Sequence, residues 1–530
     1  MNVPNVFKKQ TVTQAALLIA VISFISKFVG FFREVLVANY FGATGQTDAF
    51  LVAMLIPGSI LGLFASGFST LVIPFYLERK AKSQEAARRF VNSALTVWGW
   101  VFIVVSLLVL IFTPELVRII AYGFKGEQFA LAVTLTRYLV IYGLFTVLVG
   151  IFTGLLQAEK QFFLPILFSL LGNIAIVLSL FFLHRYLGIN SWTIGQILSA
   201  AISFFAMFLV LYWRYGFFHS LSFKQVNWPE IREFALLLLP LVISGSLSII
   251  NQIVDKTIAS GLDPGSIAAL NFSARVWNIP LSLLAVPIAT AIFPTFSELA
   301  LNGSARVEYE SRLDKTLGVS FYLMIPSTFF LFFLSEPIVR LFFERGAFNP
   351  QATALTAFVN KMYVIGLFAH ATSPILAKVF YSFKNTATPL IISAVCVGLN
   401  IILNILLSRI LGAGGIALAT SIVMIFNFIL YTLFLKKYLN PFSRRLAAET
   451  VKIILSSIPI GIVCYFSLPY FQSASAASLN GFISLAIKVA VVGVISVIPL
   501  FALSRAFKLE SYAFLKSYAL GLLKRFKKGT

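Results

Sequence analysis

The chain has 530 residues, 59% hydrophobic and only 11% charged. A soluble domain carries about 25% charged residues, so a string of soluble domains is excluded and a polytopic membrane protein remains. The 41 Lys and Arg against 19 Asp and Glu leave a formal +22. In a soluble chain that excess would point to nucleic acid; in a membrane chain it reads first as topology, because cytoplasmic loops collect Lys and Arg.

A spanning helix needs about 20 mostly apolar residues, and open strands would leave backbone polar groups unpaired in lipid. The apolar stretches predict fourteen helices: 14–40, 48–77, 90–117, 130–156, 163–183, 191–213, 231–260, 266–297, 316–343, 353–381, 388–408, 414–435, 447–470 and 480–504. Met1 to Gln10 lead into the first with no small-residue cleavage site, which predicts an uncleaved N-terminus. Cys396 and Cys464 lie inside apolar runs, so neither a disulfide framework nor a cysteine metal site is indicated. With strict alternation and both termini inside, 26 basic residues fall in cytoplasmic loops and the tail and 6 on the opposite side. The cytoplasmic set includes Lys8, Lys9, Arg79, Lys160, Lys384 and the tail residues Lys524, Arg525, Lys527 and Lys528. That tail mixes Phe, Leu and Tyr with Lys and Arg, as an amphipathic helix on an anionic inner leaflet would.

Three matches recur in order along the two halves. Ile73-Pro-Phe-Tyr-Leu-Glu78 matches Phe293-Pro-Thr-Phe-Ser-Glu298 at an offset of 220. Lys160-Gln161 with Pro165 matches Lys384-Asn385 with Pro389, and Arg185-Tyr-Leu-Gly188 matches Arg409-Ile-Leu-Gly412, both at 224. Six helices per repeat is an even number, so the halves share one orientation; parallel repeats of this kind are a transporter architecture. The predicted organisation is an N-lobe at 1–220, a C-lobe at 221–440, a C-terminal helix pair at 441–506 and a basic tail at 507–530.

Nine basic residues remain inside spans: Lys27, Arg33, Arg137, Lys256, Arg275, Lys361, Lys378, Lys452 and Lys488. A cation at the bilayer centre costs about 2.5–3.5 kcal/mol on insertion scales and usually faces a bundle interior or a wet cavity. Lys361, Lys378 and Lys452 lie near helix ends, where the side chain can snorkel to the interface. Lys27 and Arg33 flank Gly30 on the first helix, and Arg275 is the corresponding cation of the second half. Together they suit an anionic group, and the planar fork of Arg suits phosphate. The alternative is pairing with Glu34, Asp48 or Asp255 to hold the bundle. Asp48 opens the second helix, where an N-cap would be a purely structural role. Asp255, Asn400, Asn404 and Thr420 offer oxygen ligands suited to Na⁺, or else hydrogen bonds between helices.

Enzyme chemistry finds little support. The chain has three histidines, no Walker A loop, no HExxH and no clustered acids for a metal-dependent transferase. The sequence therefore predicts a transporter with no cofactor, Na⁺ being the one ion that the Asp255, Asn400, Asn404 and Thr420 oxygens would suit.

Ser26-Lys-Phe-Val-Gly-Phe-Phe-Arg-Glu34, Tyr40-Phe-Gly-Ala43, Thr47-Asp-Ala-Phe50, Ile56-Pro57 and Phe64-Ala-Ser-Gly-Phe68 resemble the start of the MurJ (MviN) family. Asn271-Phe-Ser-Ala-Arg-Val-Trp-Asn-Ile-Pro280 resembles its eighth-helix motif. The resemblance implies membership of the multidrug/oligosaccharidyl-lipid/polysaccharide exporter superfamily and flipping of lipid II, the undecaprenyl-diphosphate-linked peptidoglycan precursor, by alternating access. It implies a bacterial plasma membrane setting, membrane lipids and cell-wall synthesis proteins as partners, and no nucleic acid. It also implies that Arg33, Asp48 and Arg275 serve a cavity for the diphosphate and sugar head, that 447–504 forms a lipid-tail groove, and that Asp255, Asn400, Asn404 and Thr420 resemble a sodium site, with Asn404 where Asp is expected. Lys27 stands where the family pattern has Arg, Leu61-Gly62 where many members carry Arg-Arg, and Ser66 where many carry Glu. Those departures leave export of another polyprenyl-linked oligosaccharide as the alternative. A cation-coupled multidrug exporter is a further rival, disfavoured because that class would place acids at its site.

Overall fold

A computed structural model describes residues 12–217, 222–301, 306–471, 479–517 and 520. Lys8, Lys9 and the tail from 521 to 530, on which part of the charge reading rests, lie outside them. The described chain is helical, with no strand among these residues. It begins with α1 (Val12–Phe41), then α2 (Gly45–Ala53), α3 (Leu61–Lys82), α4 (Gln84–Ile111), α5 (Thr113–Ile120), α6 (Gly126–Ala158), α7 (Phe163–Leu187), α8 (Asn190–Tyr215) and α9 (Trp228–Ala259). It continues with α10 (Ser266–Pro280), α11 (Val286–Leu301), α12 (Arg306–Phe333), α13 (Ser335–Phe343), α14 (Pro350–Val364), α15 (Leu367–Ser382), α16 (Ala387–Leu411), α17 (Ala413–Leu435), α18 (Arg444–Ser467) and α19 (Leu479–Ala506). Among the described residues twelve helices are long and apolar enough to cross a membrane, thirteen when the bent pair α14–α15 counts as one span. The sequence expectation of fourteen goes beyond that number. Trp213 and Phe466, each 76% exposed, and Ile410 at 78% show an apolar surface suited to lipid.

Several spans read as continuous are broken, and the breaks have local causes. Pro57 lacks an N–H and cannot complete an α-helical ladder, and a π turn over Leu55–Ile60 joins α2 to α3. A second π turn, Leu281–Ala285, follows Pro280 and joins α10 to α11. Pro114 stands in the first turn of α5, and the chain breaks at Phe112; Pro337 does the same in α13, after Leu334. At both junctions a hydroxyl recovers a carbonyl of the preceding helix, Thr113 Oγ1 donating to Val109 O and Ser335 Oγ to Leu331 O, each at 2.5 Å.

The internal repeat persists in the backbone. Lys160 and Lys384 both take the left-handed conformation, at φ 60 and 57. Gly188 and Gly412 cap α7 and α16 with φ 51, ψ −133 and φ 56, ψ −134, and both helices have 25 residues. Only glycine adopts that backbone without strain.

The chain divides into two compact units at Gly265/Ser266. In the first, Phe234 of α9 is fully buried and meets Phe68, Phe75 and Phe90 at ring-centroid distances of 5.9, 5.2 and 6.1 Å. Arg79, expected as a loop charge, is instead 6% exposed. It pairs with Glu78 at 2.8 Å and with Glu230 and Glu233 at 3.6 Å, fixing the end of α3 to α9. In the second unit Phe321, Phe368 and Phe428 form a comparable ring cluster, with centroids 5.9–6.0 Å apart.

Candidate functional site

In the first unit α1 runs unbroken through Gly30, where an added Cβ would meet nothing within 4 Å. Lys27 is exposed on this helix and Arg33 is half-buried. The Arg33 guanidinium is spread over two partners: Nη2 donates to Glu34 Oε1 at 2.8 Å and Nη1 to Asn173 Oδ1 on α7 at 3.1 Å. Its Nε is buried without a hydrogen-bond partner. The pairing with Glu34 is therefore real, and it spreads the guanidinium between α1 and α7.

Asp48 is not an N-cap. Thr44 holds that position, and Asp48 lies in the first turn of α2, 2% exposed. Its Oδ2 accepts from Gly265 N at 2.6 Å. Gly265 has φ +94, and a Cβ there would stand 2.3 Å from Ala43 O. The carboxylate thus ties a tight glycine turn to the start of α2. Of the positions that depart from the family pattern, Leu61 is buried, Gly62 faces open space, and Ser66 is exposed.

In the second unit the motif around Arg275 separates into two faces of α10. Phe272, Ser273 and Val276 are fully buried, while Arg275 and Asn278 are exposed. Trp277 anchors the buried side, its ring centroid 5.3 Å from Tyr363 and 4.7 Å from His370. The same helix borders an apolar groove of about 530 Å³, whose lining includes Ile279, Leu283, Phe330, Leu341, Ile460 and Val497. The helix pair α18–α19 supplies one wall.

The oxygen set is divided. Asp255 lies half-buried on α9 in the first unit. Asn404 Nδ2 donates to Asn400 Oδ1 at 3.0 Å, one turn away on α16, and Thr420 Oγ1 donates to Ile416 O within α17. The second unit's members are all uncharged, so by themselves they give a hard cation no charge to balance. Among the described residues there is no group of three or more His, Cys, Asp or Glu that would hold a metal ion.

Of the other cations within spans, Lys256, Lys378 and Lys488 donate to the main-chain oxygens of Leu51, Ala289 and Tyr470 at 2.8, 2.8 and 3.0 Å. Lys378, expected to snorkel, instead reaches into the neighbouring helix α11. Asn173, Gln157 and Gln196 line a cavity of the first unit beside Arg33. The available signal was an uncharged amide inside an apolar run.

The sequence pattern of the family described as lipid II flippase MurJ matches residues 37–513. The probable lipid II flippase MurJ of Rickettsia prowazekii is 29% identical over 475 residues, 87% of this chain and 92% of the relative. The lipid II flippase MurJ of Burkholderia cenocepacia is 27% identical over 432 residues, 80% of this chain and 84% of its own. Among solved structures, a lipid II flippase MurJ in an inward closed conformation superposes with a TM-score of 0.77 at 26% identity, covering 93% of this chain and 99% of that one. An inward-facing multidrug resistance MATE family transporter of the MOP superfamily has a TM-score of 0.61 at 16% identity, with 82% and 98% covered, a likeness of fold alone.

Proposed function

Because this chain belongs to the lipid II flippase MurJ family, we propose that it carries lipid II from the cytoplasmic to the outer leaflet of a bacterial plasma membrane by alternating access. It is a transporter, not a catalyst of a chemical reaction. The excess of 26 basic residues over 6 supports an orientation with both termini cytoplasmic.

The observation that carries the residue assignment is Arg275. It is exposed on a helix whose other face buries Phe272 and Val276. Its planar fork is suited to a diphosphate through bidentate, charge-assisted hydrogen bonds. In the first unit the exposed Lys27 and the half-buried Arg33 are the cations suited to an anionic head group. Asp48 supports this path from inside the protein, by fixing the turn at Gly265. The apolar groove beside α18 and α19 takes the prenyl chain, whose burial contributes about 0.8 kcal/mol per CH₂. Asn400, Asn404 and Thr420 are assigned to packing within and between helices. Proteins that make and use lipid II in cell-wall synthesis are the functional partners of this reading.

The test is replacement in cells depleted of their own flippase, reading lipid II exposed on the outer leaflet. Well-expressed wild type restores exposure, and its failure would sink the assignment. Arg33→Ala and Arg275→Ala each reduce exposure by about tenfold or more, the loss of one charge-assisted contact. Full activity in both variants would remove the diphosphate role from these residues.

A further inference from the structure

Where α19 ends, the chain does not leave the second unit. Lys508 takes the left-handed conformation at φ 52, and Leu509 N donates back to Ser504 O at 3.0 Å, the closing bond of a Schellman turn. A lysine keeps that backbone only where surrounding contacts over-determine it. Here the helical stretch 510–517 is folded against α12 and α18, and Leu509 and Ser511 are both buried. Glu449 Oε1 of α18 accepts from Ser511 N at 2.8 Å, and Arg445 Nε donates to Glu510 Oε1 at 2.6 Å. A carboxylate in that place is favoured twice, by a free N–H and by the helix dipole. The Tyr512 ring stands 6.2 Å from Tyr322 of α12 and 5.8 Å from Phe501 of α19. Gly318 of α12 makes room for the segment, since a Cβ there would stand 2.7 Å from Ser511 Oγ.

These contacts join three helices at one end of the unit. Farther along, α18 meets α12 again at Gly461, where a Cβ would stand 2.8 Å from Phe333 and 3.0 Å from Phe329. One close contact between two helices leaves a pivot; a second at a distance fixes their angle. Glu449 and Gly461 are twelve residues apart on α18, about 18 Å at 1.5 Å per residue. Beside the Gly461 contact lies the apolar groove, walled by Pro326 and Phe330 of α12 and, opposite, by Ile460 of α18 with Val489 and Val497 of α19. The tilt of the α18–α19 pair therefore sets the width of the groove. Dispersion is short-ranged, and a gap of about 0.5–1 Å already forfeits a quarter to a half of the attraction. Phe514 lines cavities of about 420 and 700 Å³, so the segment rests on a few contacts rather than in a packed core, the mark of an element that opens locally.

We propose that 509–517 is a strap that fixes the angle of the α18–α19 pair to α12, with Glu449 as its principal positioning residue. Docked, it holds the groove at the width that grips a long prenyl chain. Released, it lets the pair tilt, and the grip is lost. What the groove grips rests on the flippase reading above; the strap itself does not.

The experiment uses the purified full chain, spin-labelled through Leu433→Cys on α17 and Val451→Cys on α18, both exposed, with Cys396 and Cys464 replaced by Ala. Wild type gives one narrow distance distribution. Glu449→Ala broadens it about twofold, as a helix shift of ordinary size would. Glu449→Gln keeps a neutral acceptor and recovers part of the narrow distribution. Arg445→Glu and Glu510→Arg each broaden it, and the two together restore it, a rescue that a misfolded chain could not give. The second readout is affinity for farnesyl diphosphate and undecaprenyl diphosphate, which share a head group and differ in chain length. Wild type prefers the longer chain by about tenfold or more, because more CH₂ groups are buried. Glu449→Ala keeps its affinity for farnesyl diphosphate within about twofold and lowers the preference about threefold or more; a general structural defect lowers both affinities alike. Unchanged distances in Glu449→Ala overturn the strap, and broadened distances with an unchanged preference overturn its link to the groove. A wild type that binds neither diphosphate overturns the flippase reading, while the distances still decide the strap.

Discussion

In the first unit α6 meets α3 through glycine: a Cβ at Gly150 would lie 2.4 Å from Ala65 O, and one at Gly154 2.9 Å from Ser69 O. In the second unit the residues at the repeat distance from Gly150 and Gly154 are Pro374 and Lys378, and Lys378 Nζ donates to Ala289 O, the counterpart of Ser69 O, at 2.8 Å. The ends of the two seams differ as well. Tyr76 and Lys80 both donate to Glu159 Oε1. At the matching positions Phe296 and Phe383 stand on either side of Tyr309, with ring centroids 5.0 and 5.4 Å away. One helical plan is thus held by backbone contact and an ionic latch in one half, and by a lysine bridge and an aromatic stack in the other. Where backbones touch, van der Waals packing suffices. Where α15 carries proline and lysine in place of those glycines, a long side chain spans the interval and satisfies a carbonyl.

The sharpest way to break this contrast is at Gly150. Gly150→Ala drives a methyl into the main chain of α3, which no rotamer change relieves. Overpacking of this kind costs about 1–3 kcal/mol, and the purified protein should melt several degrees lower. Pro374→Ala, at the same repeat position, should change the melting temperature by much less. Equal effects at the two sites would show that the first seam does not depend on close backbone approach.

Next in size is Lys378→Met, which keeps the apolar stem and removes the ammonium. Ala289, 4% exposed, then has a carbonyl deprived of this donor, a loss of about 1–2 kcal/mol. Lys378→Arg should recover part of it, and the readout is again thermal unfolding. A Met variant as stable as wild type would restore the snorkelling reading, in which the ammonium belongs to the interface and not to α11.

Lys378 also marks the boundary of what the sequence can reveal. Apolar length, basic loops and the glycine caps at Gly188 and Gly412 are local signals, so the helices and the repeat were legible from them. The partner of a membrane lysine is not local: snorkelling and a bridge to the next helix share the same sequence. Asp48 is a stronger case, since its partner Gly265 lies 217 residues away and the N-cap reading used only neighbours. The basic positions Arg33 and Arg275 were visible as charges in apolar helices. Asn173, Gln157 and Gln196 were not, because one amide in an apolar run does not show which helix face it occupies until the packing is known.

The smallest effect concerns a bend that exists in one half only. α6 is continuous over 33 residues, whereas α14 and α15 meet at 45° around Ile365-Gly366. A bend frees carbonyls from the helical ladder, and in lipid a nearby hydroxyl has to recover them. Ser421 Oγ lies 2.6 Å from Met362 O and 2.9 Å from Tyr363 O, sharing its proton between them. A Cβ at Gly366 would stand 2.7 Å from Ser421 Cα, so the glycine admits α17 to the bend. The repeat counterpart of Ser421 is Ile197, which has no proton to give, and its partner α6 stays straight. Hydrogen bonds between membrane helices average about 0.6 kcal/mol and reach about 1.7. Ser421→Ala should therefore lower stability by about that much and speed amide hydrogen exchange around Met362–His370. Ile197→Ser should leave exchange in α6 unchanged, because an unbroken ladder has no freed carbonyl to offer. If Ser421→Ala alters neither exchange nor melting, close packing at Gly366 alone holds the bend, and the two halves differ there by shape and not by hydrogen bonding.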